Sequence, residues 1–150
     1  INGWSEEQPH ELWFNENMRP FSLNAVKALN SIVTQSNAVL VISSGWRHEL
    51  GYEGLIDCFA YNKLQAHPYP LAYDFRGNFE AYENARYLQR CKEIESYLRT
   101  HNPDGFAIID DIYIPCFPEH QVNPEPQEGL ADAQVQQVLD MLEQEPVFPE

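Results

Sequence analysis

Basic residues are scarce in this chain: 9 Lys and Arg stand against 23 Asp and Glu over 150 residues, a formal charge of -14. That balance argues against extended nucleic-acid backbone binding, which depends on neutralising phosphates with Lys and Arg. Cysteine is nearly absent as well. Cys58, Cys91 and Cys116 are widely spaced and form no C-x-x-C pair, so the pattern suggests neither a disulfide framework nor a structural zinc site. A reducing, cytoplasmic setting is the default for such a chain. The five histidines show no H-E-x-x-H spacing, which leaves no sequence case for zinc chemistry. No uninterrupted apolar run approaches the roughly 20 residues needed to cross a bilayer. The first residues lack the basic-then-apolar order of a secretory signal.

What is present is enough to fold. Apolar residues make up 43% of the chain and aromatics 13%, too much for wholesale disorder, and the length predicts one domain. Residues 5–21 carry two prolines and no period, as suits a flap. Ser22 is placed to cap a helix over 23–35, with Leu23, Val26, Leu29, Ile32 and Val33 as its apolar stripe. Ala38 to Ile42 is a short apolar run rich in β-branched residues, the pattern of a strand buried on both faces, and it stops at Ser43-Ser44-Gly45.

Beyond it, weak periodicity over 48–60 suggests a short helix and then a short strand ending near Phe59. Residues 61–85, aromatic and with two prolines, read as a small lid insertion. A helix is predicted over about 86–101 with Tyr87, Cys91, Ile94 and Leu98 on one face, ended by Asn102-Pro103-Asp104-Gly105. Phe106 to Asp110 forms another apolar strand and runs into Asp111. A last helix over about 132–143 stripes Val135, Val138, Leu139 and Leu142. Strands alternating with amphipathic helices indicate an α/β fold with a mostly parallel sheet covered on both faces.

Ligands in such sheets bind outside the carboxyl ends of the strands. Both polar clusters, Ser43-Ser44-Gly45 and Asp110-Asp111, fall at such ends. Serine hydroxyls and turn amides there can hold a phosphate, and equally can serve the turn alone. Adjacent buried carboxylates repel one another unless a cation intervenes, and Mg²⁺ takes one or two carboxylates with phosphate oxygens and water; the alternative is a helix cap followed by an exposed acid. Arg90, with Lys92 as a fallback, and Arg47 are the cations available to clamp a phosphoryl group, unless they only snorkel to solvent. Trp46 serves as a core anchor or a stacking face.

In order, VLVISSGWR, RCKEI, AIIDD and HQVNPEPQEGL resemble motifs of the haloacid dehalogenase-like (HAD) phosphohydrolases, most nearly the small HAD domains of Swiss-army-knife RNA-repair proteins. The resemblance covers about residues 20–142 and rests on the order and spacing of four motifs. It implies a Rossmann-like three-layer sandwich with a small cap or flap. It also implies that Ser43 and Arg90 contact the phosphoryl group, that Ser44, Gly45, Arg47 and Lys92 assist binding, and that Asp110 and Asp111 hold Mg²⁺.

The family's nucleophile is the first Asp of an Asp-x-Asp-Gly motif. Ile1-Asn2-Gly3 is similar to the last three residues of that motif, which puts Asn2 where the acid/base belongs and the nucleophile on an apolar strand just upstream of Ile1. An amide cannot shuttle the proton, a loss worth about 10²–10⁴-fold. The sequence therefore predicts a Mg²⁺-dependent phosphomonoester hydrolase acting on a phosphorylated small molecule, a nucleotide or a nucleic-acid end. Its rivals are a catalytically impaired phosphate-binding module and an α/β domain whose serines and aspartates only close turns.

Overall fold

The computed structural model describes residues 21–43, 46–75, 81, 85–125 and 129–149. The flap, apart from Phe21, and Asn2, Ser44 and Gly45 lie outside the described residues. Among the described residues the elements follow in chain order: α1 (Leu23–Ser36), β1 (Leu40–Ile42), α2 (Trp46–Glu49), α3 (Gly51–Tyr61), β2 (Pro68–Pro70), α4 (Ala85–His101), β3 (Ile108–Ile109), β4 (Gln121–Val122) and α5 (Asp132–Glu143).

The helices begin and end where local chemistry dictates. Ser22 accepts from the Ala25 amide at the start of α1, and Asn37 closes its far end in the left-handed conformation, donating to the Val33 carbonyl. At α5 the Gln134 side chain accepts from the Ala131 amide. Between α4 and β3 the chain comes so close to α5 that a Cβ on Gly105 would collide with the Leu142 carbonyl.

Several elements differ from the sequence reading. Residues 51–61 are all helix, without the short strand expected near Phe59; Leu55, Cys58 and Phe59 recur at helical spacing and are buried. Part of the anticipated lid is sheet, since Pro68–Pro70 pairs parallel to β1, with Val41 opposite Tyr69. A strand with two prolines belongs at a sheet edge. Phe21, read as flap, is buried against Phe59. The buried face of α1 is Ala25, Ala28, Leu29 and Ile32, while Leu23 is exposed, and on α4 Tyr87 is exposed although its periodicity matched the apolar stripe. Helix α1 packs on α5 and brings two small residues, Ala25 and Ala28, into the core.

Two parallel pairs, β1 with β2 and β3 with β4, make up the sheet structure of the described residues. Alternate strand residues enter two separate apolar clusters, as the two-residue period of a strand requires. Leu40, Ile42, Ile109 and Val122 join the cluster built with Leu29, Leu55 and Val138. Val41, Leu71 and Ile108 join the cluster built with Ile94 and Leu98 of α4. Helices thus cover both faces of the strands, and the fold is α/β. No helix among the described residues is long and apolar enough to cross a membrane.

The C-terminal segment is fastened through a histidine. Fully buried His120 stacks on Phe106, and its Nε2 accepts from the Val147 amide at 2.9 Å. Burial pushes the imidazole below its ordinary value of 6.5, against the opposing pull of Glu119 and the Phe106 carbonyl. The unfolded chain consequently takes up the proton first, so this contribution is complete above about pH 6.5 and is lost as the pH falls through the folded value. Thermal melts from about pH 8 to about pH 5 should show wild type losing stability more steeply than His120→Gln, which keeps an acceptor but cannot titrate. Parallel profiles would contradict this.

Candidate functional site

The carboxyl ends of β1 and β3 carry the residues that the motifs singled out. Ser43 follows Ile42 directly at the end of β1 and is half-buried. Asp110 follows Ile109 at the end of β3, where its amide still donates to the Val122 carbonyl at 3.2 Å. The strand ladder therefore fixes the backbone of Asp110, and the chain turns away immediately beyond it.

Asp110 is 7% exposed and meets Arg90, whose Nη1 donates to Oδ2. Its other oxygen accepts from the Ile112 amide at 3.0 Å. Burial raises the Asp110 carboxyl above its ordinary value of 3.8; Arg90 and the Ile112 amide oppose that rise, and Asp111 adds to it. Positive charge beside this carboxylate, as Arg90 supplies, offsets both the burial and the repulsion from Asp111. Two adjacent carboxylates are hard oxygen donors of the kind Mg²⁺ uses together with water and phosphate oxygens, so the residues fit that ion.

Sequence reasoning named Arg90 and Asp110 separately, and the fold brings them into contact. Arg47 is placed differently. Its side chain is 3% exposed and forms an ion pair with Glu93, Nη2 to Oε1 at 2.9 Å, while Nη2 also donates to the Tyr73 carbonyl. Glu93 is fully buried, and its Oε2 accepts from the Phe75 amide at 2.8 Å. Lys92 is exposed with its ammonium 3.9 Å from Glu95, on another face of α4, because helix residues two apart do not face each other.

Three residues went unassigned from sequence. Glu93 lies one turn from Arg90 on α4, so the buried pair with Arg47 sets the rotation of the helix that presents Arg90. The signal was an acid directly beside Ile94 of the apolar stripe. Gln121 is buried and holds the loop after β3 by accepting from the Ile114 amide and donating to the Ile114 and Phe117 carbonyls, at 2.7–2.9 Å. Asn123 donates to the Asp110 and Ile112 carbonyls. Both amides are polar residues in or beside an otherwise apolar strand.

The cysteines also depart from the sequence reading. Cys91, next to Arg90, forms a disulfide with Cys116 in the loop after β3, their Cα atoms 6.1 Å apart. Spacing gave no warning because α4 and β3 fold back on one another to bring together residues 25 apart in the chain.

Removing one partner of a buried ion pair leaves an uncompensated charge, which costs about 3–5 kcal/mol, whereas replacing both by apolar residues costs far less. Glu93→Leu and Arg47→Met should each destabilise by about that amount in denaturant titrations, and the double variant by clearly less than the sum. Single losses below about 1 kcal/mol would show the pair to be energetically idle.

The family model described as the HAD domain in Swiss Army Knife RNA repair proteins matches residues 3–135. No curated protein and no solved structure gives a significant match. The matched span holds the serines that follow β1 in sequence, the Arg90–Asp110 contact and the adjacent aspartates after β3, and the chain belongs to this HAD family.

Proposed function

We propose that the protein is a Mg²⁺-dependent HAD-like phosphohydrolase of phosphomonoesters. The observation that carries this is the contact of Arg90 with Asp110 at the carboxyl end of β3. A guanidinium and a buried carboxylate meet at the carboxyl end of a parallel strand, the place where α/β sheets bind their ligands, and that supports the reading. We read the two strand pairs as halves of one sheet in a Rossmann-like three-layer sandwich, since both send alternate residues to the same two clusters. A strand between β1 and β3 would complete it and would carry the nucleophilic Asp, immediately upstream of Ile1.

In this reading Ser43 donates its hydroxyl to a phosphoryl oxygen, with Ser44 and Gly45 lending turn amides. Arg90 offers its remaining donors to the same group and neutralises charge as it develops. Arg47 positions α4 through Glu93. Mg²⁺ held by Asp110 and Asp111 supplies further charge neutralisation when bound. The upstream carboxylate attacks phosphorus and expels the alcohol, and water then releases phosphate from the aspartyl-phosphate. Asn2 in the acid/base position slows both proton transfers. The charge of -14 favours a compact phosphorylated group, a small molecule or a nucleic-acid end, over a long backbone. The name of the family, with its reference to RNA repair, supports the nucleic-acid end.

Asn2 also favours a second reading, a module that binds phosphate without turnover. Hydrolysis of an aryl phosphate with Mg²⁺ separates the two, measured on residues 1–150 and on the same residues led by an apolar strand ending in Asp before Ile1. The phosphohydrolase reading predicts turnover in the longer chain and a loss of about 10²-fold or more in its Asp110→Asn variant. Silence in both chains, folded and saturated with Mg²⁺, would overturn it in favour of the binding module.

A further inference from the structure

The Cys91–Cys116 bond joins α4 to the loop after β3, which also meet through the Arg90–Asp110 contact and the shared apolar cluster of Ile94, Leu98, Ile114 and Phe117. The loop after β3 is held internally by hydrogen bonds of Gln121 and Asn123. Helix α4 is held by the Arg47–Glu93 pair and by Ile94 and Leu98 in the apolar core. The disulfide ties the one to the other at the residue next to Arg90, so it limits how far Arg90 can move from Asp110.

A staple that only stabilises is ordinarily sealed from thiols, whereas an accessible disulfide is open to exchange. Here Cys116 lines an open cavity of about 300 Å³ together with Pro118, Glu119, His120, Val147 and Phe148. The cavity gives a small thiol a way in to Cys116. Glu119 in its wall, in a chain of charge -14, favours a neutral or cationic thiol over an anionic one.

We propose that Cys91 and Cys116 form a thiol–disulfide switch, opened by a small neutral or cationic thiol that attacks Cys116 from this cavity and frees α4 to shift Arg90 relative to Asp110. The thiolate attacks the Cys116 sulfur; the protein S–S bond breaks and Cys91 leaves as a thiolate that takes a proton from water. A second thiol then attacks the mixed disulfide on its own sulfur, releasing the small disulfide and the Cys116 thiol. Two small thiols are oxidised and one protein disulfide is reduced. The reverse exchange, with the small disulfide as oxidant, closes the switch.

The inference takes the site of the phosphohydrolase reading as its target, but its readouts need no turnover and stand or fall separately. Cystamine is the probe. Cys91→Ser should form the mixed disulfide at Cys116 about tenfold faster than Cys116→Ser forms it at Cys91, because exchange follows access to the sulfur. Peptide mass mapping locates the adduct, and Cys58 is buried away from the reagent. In wild type, reduction with cysteamine should raise amide hydrogen exchange over residues 85–92 about tenfold. The same treatment should leave Cys91→Ala/Cys116→Ala unchanged. Equal or faster reaction at Cys91, or identical exchange in oxidised and reduced wild type, would overturn the switch; the second readout decides even if a single variant does not fold.

Discussion

The buried ion pair of Arg47 with Glu93 is the interaction on which the site depends. It joins α2 to the helix that carries Arg90, and it also takes in the backbone at Tyr73 and Phe75. Two charges removed from water this completely lean on each other and on the Tyr73 and Phe75 backbone, while Arg47 Nη1 is left without a hydrogen-bond partner. Such a pair has few alternative geometries, so it limits the rotation of α4 at Glu93. Arg90, one turn before Glu93, is delivered to Asp110 as a consequence.

Around that pair the division of labour follows from backbone physics. The strands are short, and they serve to bring Ser43 and Asp110 to the same kind of place, the carboxyl end of a parallel strand. Amide side chains then finish what the strands begin: Gln121 and Asn123 satisfy backbone groups in the loop beyond Asp110 that no ladder reaches. The outcome is a carboxylate held nearly out of water, with a pKa raised by that burial and a guanidinium against it.

Much of this was legible in the sequence, and the gaps have physical causes. The apolar runs 38–42 and 106–110 announced strands, and the serine and aspartate clusters announced their ends, because residues at the end of a buried strand have a distinctive chemistry. Helices α1, α4 and α5 followed from spacing to within a residue or so. Other features were long-range. Glu93 reads as an ordinary helical acid until Arg47 is folded beside it, and Cys91 and Cys116 look unpaired until α4 and β3 meet. Arg47 was read as a phosphate clamp for the same reason, since only the fold shows its charge turned inward. Pro68–Pro70 was hidden because its prolines argue against a strand unless it lies at an edge.

The central claim is that the Arg47–Glu93 pair delivers Arg90 to Asp110. Its most direct test is the coupling energy between Arg90 and Asp110, measured by a double-mutant cycle in wild type and again in an Arg47→Met/Glu93→Leu background that removes both buried charges. The account predicts coupling of about 1 kcal/mol or more in wild type and its collapse toward zero in the second background. Equal coupling in both backgrounds would contradict it.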